Sequence, residues 1–573
     1  MQENNLSNPS RNSTLKEPMQ QKCTITGEIF EIPNSELEFI EKVSPVFAGK
    51  KYLLPPPSIH PQERLRQRLS FRNLRYLFKR NCDLSGKPML SMYDPLIPRL
   101  VYHAEEFWSD RWDPLSYGVD FDFSKTFFEQ VANLTDRVPR LHNFVFLNEN
   151  CEYINGAANC RNCYLSFNMD YCEDCYYIHS GTHTRSTLDS QGVVRCELCY
   201  SCVDCENCYS LNYSDQCSTC SESFFLSNCL RCKNCIGCTN LVDKEYYLFN
   251  KPSSREEIER LKASFSSLKA VNDFQIRVDE LRAQYPLKQY FGNSNEDFSG
   301  NSVRHIKNSY ECFESSELEN CNYCYYVFKA NNCYDYTIFG DNSQWIYQCL
   351  ATGINCSNDL FCMVCGSGAS NNMYCNSIRA CTDCFACVGL KQKQFCIFNK
   401  QYTESEYHQL AAKIAEHMQQ TGEWGQFFPP ALSPFPFNET SAYDEYPLSQ
   451  EEALRRGYNW REPEEKKSTL PVTQVPDRIE DTPDTICLQT LVCSQTGVAF
   501  KIIPQELAFY RKQGIPVPTL CPNARYTELK KKRSARQLWT RNCDSCKSEM
   551  RTPYASDRRE KIYCEKCFVN EVY

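Results

Sequence analysis

Cys196-Glu197-Leu198-Cys199-Tyr200-Ser201-Cys202-Val203-Asp204-Cys205-Glu206-Asn207-Cys208 carries a cysteine at every third position. The phase continues in both directions. Stepping by three from Cys151 to Leu241 meets only Cys, Ser, Thr, Gly, Ala, Val, Ile, Leu and Met, and no cysteine of the stretch lies off that phase. The other two phases hold the charges, asparagines and tyrosines. A helix sorts its faces with alternating steps of three and four, and a strand with steps of two. A constant step of three fits neither.

A longer period lies on top. Cys160, Cys172, Cys196, Cys208, Cys220 and Cys232 are spaced by twelve residues or a multiple of twelve, as are Cys151, Cys163, Cys175 and Cys199, and Cys205, Cys217 and Cys229. A repeat of this length suits one coil of a narrow solenoid in which equivalent residues stack as ladders. Small side chains fit a tight lumen, where a reduced thiol behaves as a small buried hydrophobe. Because Cys alternates with Ser, Ala, Thr, Gly and Val in the same slots, core filling is preferred to a thiolate metal store or a disulfide ladder.

A second, less regular copy follows. Cys312, Cys321, Cys324 and Cys333 share one phase, which slips near Ser343 and again near Cys356 and returns with Cys375, Cys381, Cys384 and Cys387. Such slips read as insertions of one or two residues. Both copies end alike: Tyr246-Tyr247-Leu248-Phe249-Asn250-Lys251 is answered by Phe395-Cys396-Ile397-Phe398-Asn399-Lys400, and the helix start Ser254-x-x-Glu257 by Thr403-x-x-Glu406, at one constant offset. Both have capping-box spacing. The first helix is expected to run to about Arg282, with a break.

The ends of the chain also answer each other. Cys493-x-x-Thr496-Gly497 repeats Cys23-x-x-Thr26-Gly27, Glu506 answers Glu36, and Arg541-Asn542-Cys543-Asp544 repeats Arg80-Asn81-Cys82-Asp83. The expected fold is mainly β: two tandem β-solenoids of about twelve residues per coil with helical caps, flanked by duplicated zinc-ribbon-like α+β modules. The expected divisions are a disordered tail over 1–21, a degenerate ribbon-like module with an aromatic lead-in over 22–140, and solenoid 1 over 141–251. A helical cap and linker over 252–298, solenoid 2 over 299–400 and a helical cap over 401–421 follow. A Pro-rich, acidic extended connector or strap over 422–486 leads to the zinc-ribbon module over 487–573.

The strongest chemical signal is Cys543-x-x-Cys546 followed by Cys564-x-x-Cys567, the spacing of a four-thiolate structural Zn²⁺ site. In the N-terminal module Cys82, Ser85, His103 and Glu106 stand at the matching places, so metal is expected to be lost there. Cys493 and Cys521 pair with Cys23 and His60, which leaves two ligands per copy. Basic segments accompany the modules: Arg64, Arg68, Arg72 and Arg75 on a helix expected from about Gln62 to Arg80, and Arg525, Lys530, Lys531, Lys532, Arg533 and Arg536. These are candidate phosphate contacts for RNA, weighed equally against a solvated helix face.

The 573 residues carry a net charge of −8, against a general nucleic-acid coat. No run of about 18 apolar residues marks a membrane span, and the first residues lack a secretory apolar core. A cytoplasmic location and reduced thiols are expected. No P-loop, dinucleotide fingerprint, G-x-S-x-G or H-E-x-x-H stands out, and His179 and His183 lack an evident nucleophile.

Asn162-Cys163-Tyr164-Leu165, Glu173-Asp174-Cys175-Tyr176-Tyr177, Phe398-Asn399-Lys400, Gly422-Glu423-Trp424-Gly425-Gln426-Phe427-Phe428-Pro429 and Leu432-Ser433-Pro434-Phe435 carry a resemblance over nearly the whole chain. On them the chain resembles an uncharacterised cysteine-rich zinc-ribbon/solenoid protein family of candidate-phyla, reduced-genome bacteria, which implies no known activity, substrate or site. The coils are also similar in spacing to the twelve-residue coils of insect antifreeze β-helices, without their Thr-x-Thr ladder. The expectation is a non-catalytic zinc-binding scaffold whose basic terminal modules contact RNA, the ribosome or a protein partner. The alternatives are a thiol-rich metal-binding or redox protein, and an enzyme of unknown class.

Overall fold

From Asn150 to Phe249 one residue in every three takes a left-handed backbone conformation, with φ between 45° and 65°. The computed structural model describes residues 17–338, 340, 343–462, 468–469 and 474–572. Each triplet holds an inward residue, an extended residue and a left-handed residue, so four triplets turn one coil. The left-handed region costs a residue with a Cβ about 1–2 kcal/mol, and Asn and Asp tolerate it best. Asn and Asp recur there, and their side chains bond from coil to coil: Asn150 Nδ2 donates to Asn162 Oδ1 (2.8 Å), Asn162 Nδ2 to Asp174 Oδ1 (2.9 Å) and Asn228 Nδ2 to Asn240 Oδ1 (2.9 Å).

Two of the three amides in a triplet enter the ladder between coils. Arg161 N–H donates forward to the Cys172 carbonyl (2.9 Å), and Asn162 N–H donates back to the Glu149 carbonyl (3.0 Å). The inward residue's own N–H is left to the lumen. A side chain one coil earlier accepts it at many coils: Cys151 Sγ from Cys163 (3.3 Å), Cys220 Sγ from Cys232 (3.4 Å), Ser166 Oγ from Ile178 (3.0 Å) and Ser214 Oγ from Leu226 (2.9 Å). The same thiols and hydroxyls donate onward to carbonyls, as Cys151 Sγ does to Glu149 O (3.2 Å). Cys and Ser are small and can both donate and accept. Core filling is thus only half of their role. The lumen cysteines are free and almost all buried.

The fold is mainly β, as expected. In solenoid 1, Val145–Phe146, Asn155–Ala158, Phe167–Asp170, His179–Thr182 and Gln191–Val194 form one parallel sheet at twelve-residue register. In solenoid 2 the register lengthens to thirteen at Ala330↔Ser343, Tyr334↔Tyr347 and Ser357↔Ser370 and returns to twelve at Ser370↔Thr382. The phase slips are therefore single-residue insertions. Each solenoid closes on a hairpin, Tyr247–Leu248 with Lys251–Pro252 and Gln394–Ile397 with Lys400–Gln401. Ser254 caps the helix Arg255–Ser264, which breaks before Leu268–Arg282, and Thr403 with Glu406 forms a complete capping box on Glu404–Thr421.

The terminal modules dock crosswise. The N-terminal module packs on solenoid 2 and its cap: Phe39 stacks on Tyr334 at 4.1 Å, and Phe47 lies 6.1 Å from Phe385. The C-terminal module packs on solenoid 1 and its cap, burying Leu507, Tyr510 and Val517 with Phe265, Val271 and Phe274. The same buried charge group sits at each junction. Arg64 Nη2 lies 3.2 Å from Glu36 Oε1 and 2.8 Å from Asp335 Oδ2, while the Tyr323 hydroxyl donates to Glu36 (3.1 Å). Arg525 Nη1 lies 2.8 Å from both Glu506 Oε1 and Asp189 Oδ2, while the Tyr177 hydroxyl donates to Glu506 (2.8 Å).

Two expectations change. Residues 1–16 of the expected tail lie outside the described residues, but Met19–Lys22 is a strand paired with Ile29–Ile32, because the first knuckle needs a two-stranded base. The basic helix spans only Pro61–Leu69; Asn73 then turns the chain by bonding Tyr76 N–H and O. The connector lies against the body as a strap, one of the two forms expected of it. Trp424, Phe427, Phe428, Phe435 and Phe437 are buried, and Trp424 Nε1 donates to Leu53 O (2.9 Å).

One lumen slot of solenoid 2 holds a carboxyl. Asp359 Oδ1 accepts the lumen N–H of Asn372 (3.1 Å), as Ser and Cys do elsewhere, but its other oxygen has no donor. Burial pushes Asp359 up to about 7 against the opposing hydrogen bonds from Asn372. A raised carboxyl pKa favours the folded state at low pH, and that contribution is lost between the unfolded value near 4 and about 7. The thermal midpoint of the wild type relative to Asp359→Asn should therefore fall as pH rises from 4 to 7. A difference independent of pH contradicts a neutral buried carboxyl.

Candidate metal centre

The C-terminal knuckle is built by a hairpin, Trp539–Asn542 with Glu549–Thr552, and by the start of the helix Glu565–Val572. Cys543 N–H bonds Ser548 O (2.8 Å) and Lys547 N–H bonds Cys543 O (2.9 Å), with Lys547 left-handed at φ 62°. Asp544 stitches the two parts. Its N–H donates to Ile562 O (2.9 Å), and its carboxylate accepts Ile562 N–H (2.8 Å). That fixes Cys564, whose own N–H donates to Cys543 Sγ (3.2 Å).

The sulfurs of Cys543, Cys546, Cys564 and Cys567 all lie within 4.8 Å of one another, and this set could hold a metal ion. Cys546 and Cys564 approach to 3.8 Å. Cys543 is buried, Cys546 exposed and the other two half-buried. The hydrogen bond to the Ser548 hydroxyl brings Cys546 down to about 6. Burial raises Cys543, but backbone N–H groups, led by that of Cys564, outweigh it and hold the thiol below its usual value. Four thiolates close a tetrahedron and leave no position for water, so the centre is suited to structure and not to hydrolysis.

The surroundings tie the centre to the body. Ile562–Tyr563 pairs in parallel with Leu287–Lys288 in the linker between the solenoids. Lys288 Nζ and the Tyr290 hydroxyl both reach Glu565 Oε1 at 2.9 Å.

The same corner occurs three more times without the ligands. His60 N–H donates to Cys23 Sγ (3.4 Å) and His103 N–H to Cys82 Sγ (3.3 Å), and Cys521 N–H makes the equivalent bond to Cys493. The remaining corners are Thr26 and Glu63, Ser85 and Glu106, and Thr496 and Ala524. His60 and His103 use Nδ1 to cap the helices Pro61–Leu69 and Ala104–Phe107, and Glu63 pairs with Arg66 and Arg456. Among the described residues only the C-terminal corner gathers three or more metal-binding groups. The sequence reading pairs Cys493 and Cys521 with Cys23 and His60 as two ligands per copy, and the structure brings the two ligands of each copy together through a backbone N–H on the cysteine sulfur.

The arginines expected to contact phosphate are engaged within the protein. Arg64 and Arg68 are buried on Asp335, and Arg525 is buried on Glu506 and Asp189. Arg72 donates to Asn168 Oδ1 (2.9 Å), and Arg75 donates to Asn523 Oδ1 (2.7 Å) under the ring of Tyr526. Arg533 and Arg536 share Glu314 and Glu445. Lys531 and Lys532 are exposed, Lys531 beside Glu528, and Lys530 is half-buried. The expectation fails for the arginines because their partners come from remote coils. His179 is buried against Tyr526, and His183 stacks on Tyr171.

If the corners share one geometry, ligands can be restored. Thr496→Cys with Ala524→Cys should raise the bound zinc from about one to about two per chain, while Cys564→Ser should abolish the wild-type ion; elemental analysis of the purified protein reads both. An unchanged metal content in the double variant contradicts the equivalence. The chain matches no protein-family model, no curated protein and no solved structure, so the site's own geometry carries the reading of its chemistry.

Proposed function

We propose that the protein is a non-catalytic zinc-binding scaffold, in which two duplicated solenoid halves form a rigid body and the C-terminal centre pins the end of the chain to the joint between them. The observation that carries this reading is the closed four-cysteine set beside the linker strand Leu287–Lys288. Zn²⁺ is the assigned metal because it favours four thiolates in a tetrahedron and undergoes no redox change. Free lumen thiols suit a reducing, cytoplasmic compartment. The scaffold's partner is assigned as a protein; contact with RNA or the ribosome would rest on Lys530, Lys531 and Lys532, since the arginines are engaged internally.

The second reading, a thiol-rich metal store, draws on the stacked lumen cysteines. Against it, those sulfurs already accept amides and donate to carbonyls, as at Cys163, Cys220 and Cys232.

Elemental analysis of the full chain separates them. The scaffold is expected to hold about one zinc per chain, removed by a chelator with loss of C-terminal packing and retention of the solenoid circular-dichroism signal. Many soft-metal ions per chain would favour storage and overturn the scaffold reading.

A further inference from the structure

The two buried charge groups differ at one position. Around Arg64 the charges balance, with Arg64 and Arg68 facing Glu36 and Asp335. Asp335 Oδ2 sits against Arg64, and its Oδ1 accepts from Arg68 Nη2 (3.2 Å), while Arg68 Nε donates to Thr337 Oγ1 (2.7 Å). Arg68 follows Arg64 by one helical turn. The residue one turn after Arg525 is Leu529. A single guanidinium therefore faces two carboxylates, Glu506 and Asp189.

The acceptors crowd onto one nitrogen of that guanidinium. Arg525 Nη1 carries two protons and has three acceptors around it: Glu506 Oε1 (2.8 Å), the Tyr510 hydroxyl (2.7 Å) and Asp189 Oδ2 (2.8 Å). The first two are aligned hydrogen bonds; Asp189 Oδ2 receives none, as is also true of Asp335 Oδ2 in the other group, and Arg525 Nε and Nη2 point elsewhere without an acceptor, so the two groups differ in the missing second positive charge. Asp189 is only 3% exposed. A buried carboxylate without a donor is costly unless something supplies charge and protons. Beside it opens a cleft of about 220 Å³ walled by Asp189, Tyr200, Tyr213, Val271, Arg525 and Leu529. The Tyr200 and Tyr213 rings, set edge to face at 5.2 Å, give the cleft an aromatic wall.

We propose that this cleft binds a small organic cation, a guanidinium or primary ammonium on a short apolar stem, whose charge pairs with Asp189 as Arg68 pairs with Asp335. The ligand supplies the missing positive charge and, because the cleft lies in the seam between solenoid 1, its helical cap and the C-terminal module, holds the three together. Glu528 and Lys532 are the other charged groups on its walls. Burial pushes the Asp189 carboxyl up to about 7, against the attraction of Arg525, so the pairing strengthens as pH rises above that value.

The test uses the full chain and methylguanidinium, with tetramethylammonium at equal ionic strength as the control that cannot donate a hydrogen bond. At pH 8 methylguanidinium is expected to raise the thermal midpoint saturably and tetramethylammonium not to, with weaker binding below pH 7. Asp189→Asn should abolish the effect. Leu529→Arg should raise the midpoint without ligand and abolish the response, its guanidinium taking the ligand's place. The proposal is overturned if methylguanidinium gives no saturable shift, or if the shift persists in Leu529→Arg or, where that variant does not fold, in Asp189→Asn.

Discussion

An amide that points into a dry tube needs an acceptor, and most of this structure follows from that need. Extended strands spend their N–H groups on neighbours. A coil that bends left-handed at every third residue spends two and turns the third inward. Buried, unpaired N–H groups are rare in folded proteins because each costs about as much as a lost hydrogen bond. Cys, Ser, Asn and Asp at the lumen slots of the preceding coil meet the need at Cys232, Leu226, Cys384 and Asn372 respectively. Apolar residues such as Val193 and Leu211 fill volume between them.

How much of this was legible depends on the distance over which each cause acts. The step of three and the twelve-residue columns are local and repeated, so they revealed the solenoids. The helix caps at Ser254 and Thr403 and the paired Cys-x-x-Cys knuckles are set within a few residues, and the structure keeps them, with the full reciprocal box at Thr403 alone of the two. The acceptor role of the thiols stayed hidden because smallness alone explains the same residues. The arginines were misread for the opposite reason. Their meaning lies in Asp189, Asp335 and Glu314, which the coils deliver from hundreds of residues away. A basic helix in sequence is therefore an internal rivet in the fold.

The crosswise docking ties the terminal modules to the two solenoids. Each terminal module clamps the solenoid farther from it in the chain, and the strap from Trp424 to Tyr458 runs between them, with Arg456 on Glu63 and the Tyr446 hydroxyl on Arg536 O. Buried ion pairs of this kind are by themselves weak evidence for stability; here they join module to coil at both junctions. The metal centre acts at the last joint, where the C-terminal strand meets the linker between the solenoids.

The most direct test of the lumen hydrogen bond compares two substitutions at one slot, Cys220→Ser and Cys220→Val, by the urea midpoint of the solenoid signal. Cys220 Sγ accepts the N–H of Cys232 at 3.4 Å, and valine, which already fills a lumen slot at Val193, removes the acceptor without leaving a void. If the amide needs its partner, serine is tolerated and valine destabilises by about 1–3 kcal/mol, the usual cost of a buried donor left unpaired. The reverse order, with valine neutral and serine destabilising, would show that the sulfurs merely occupy space.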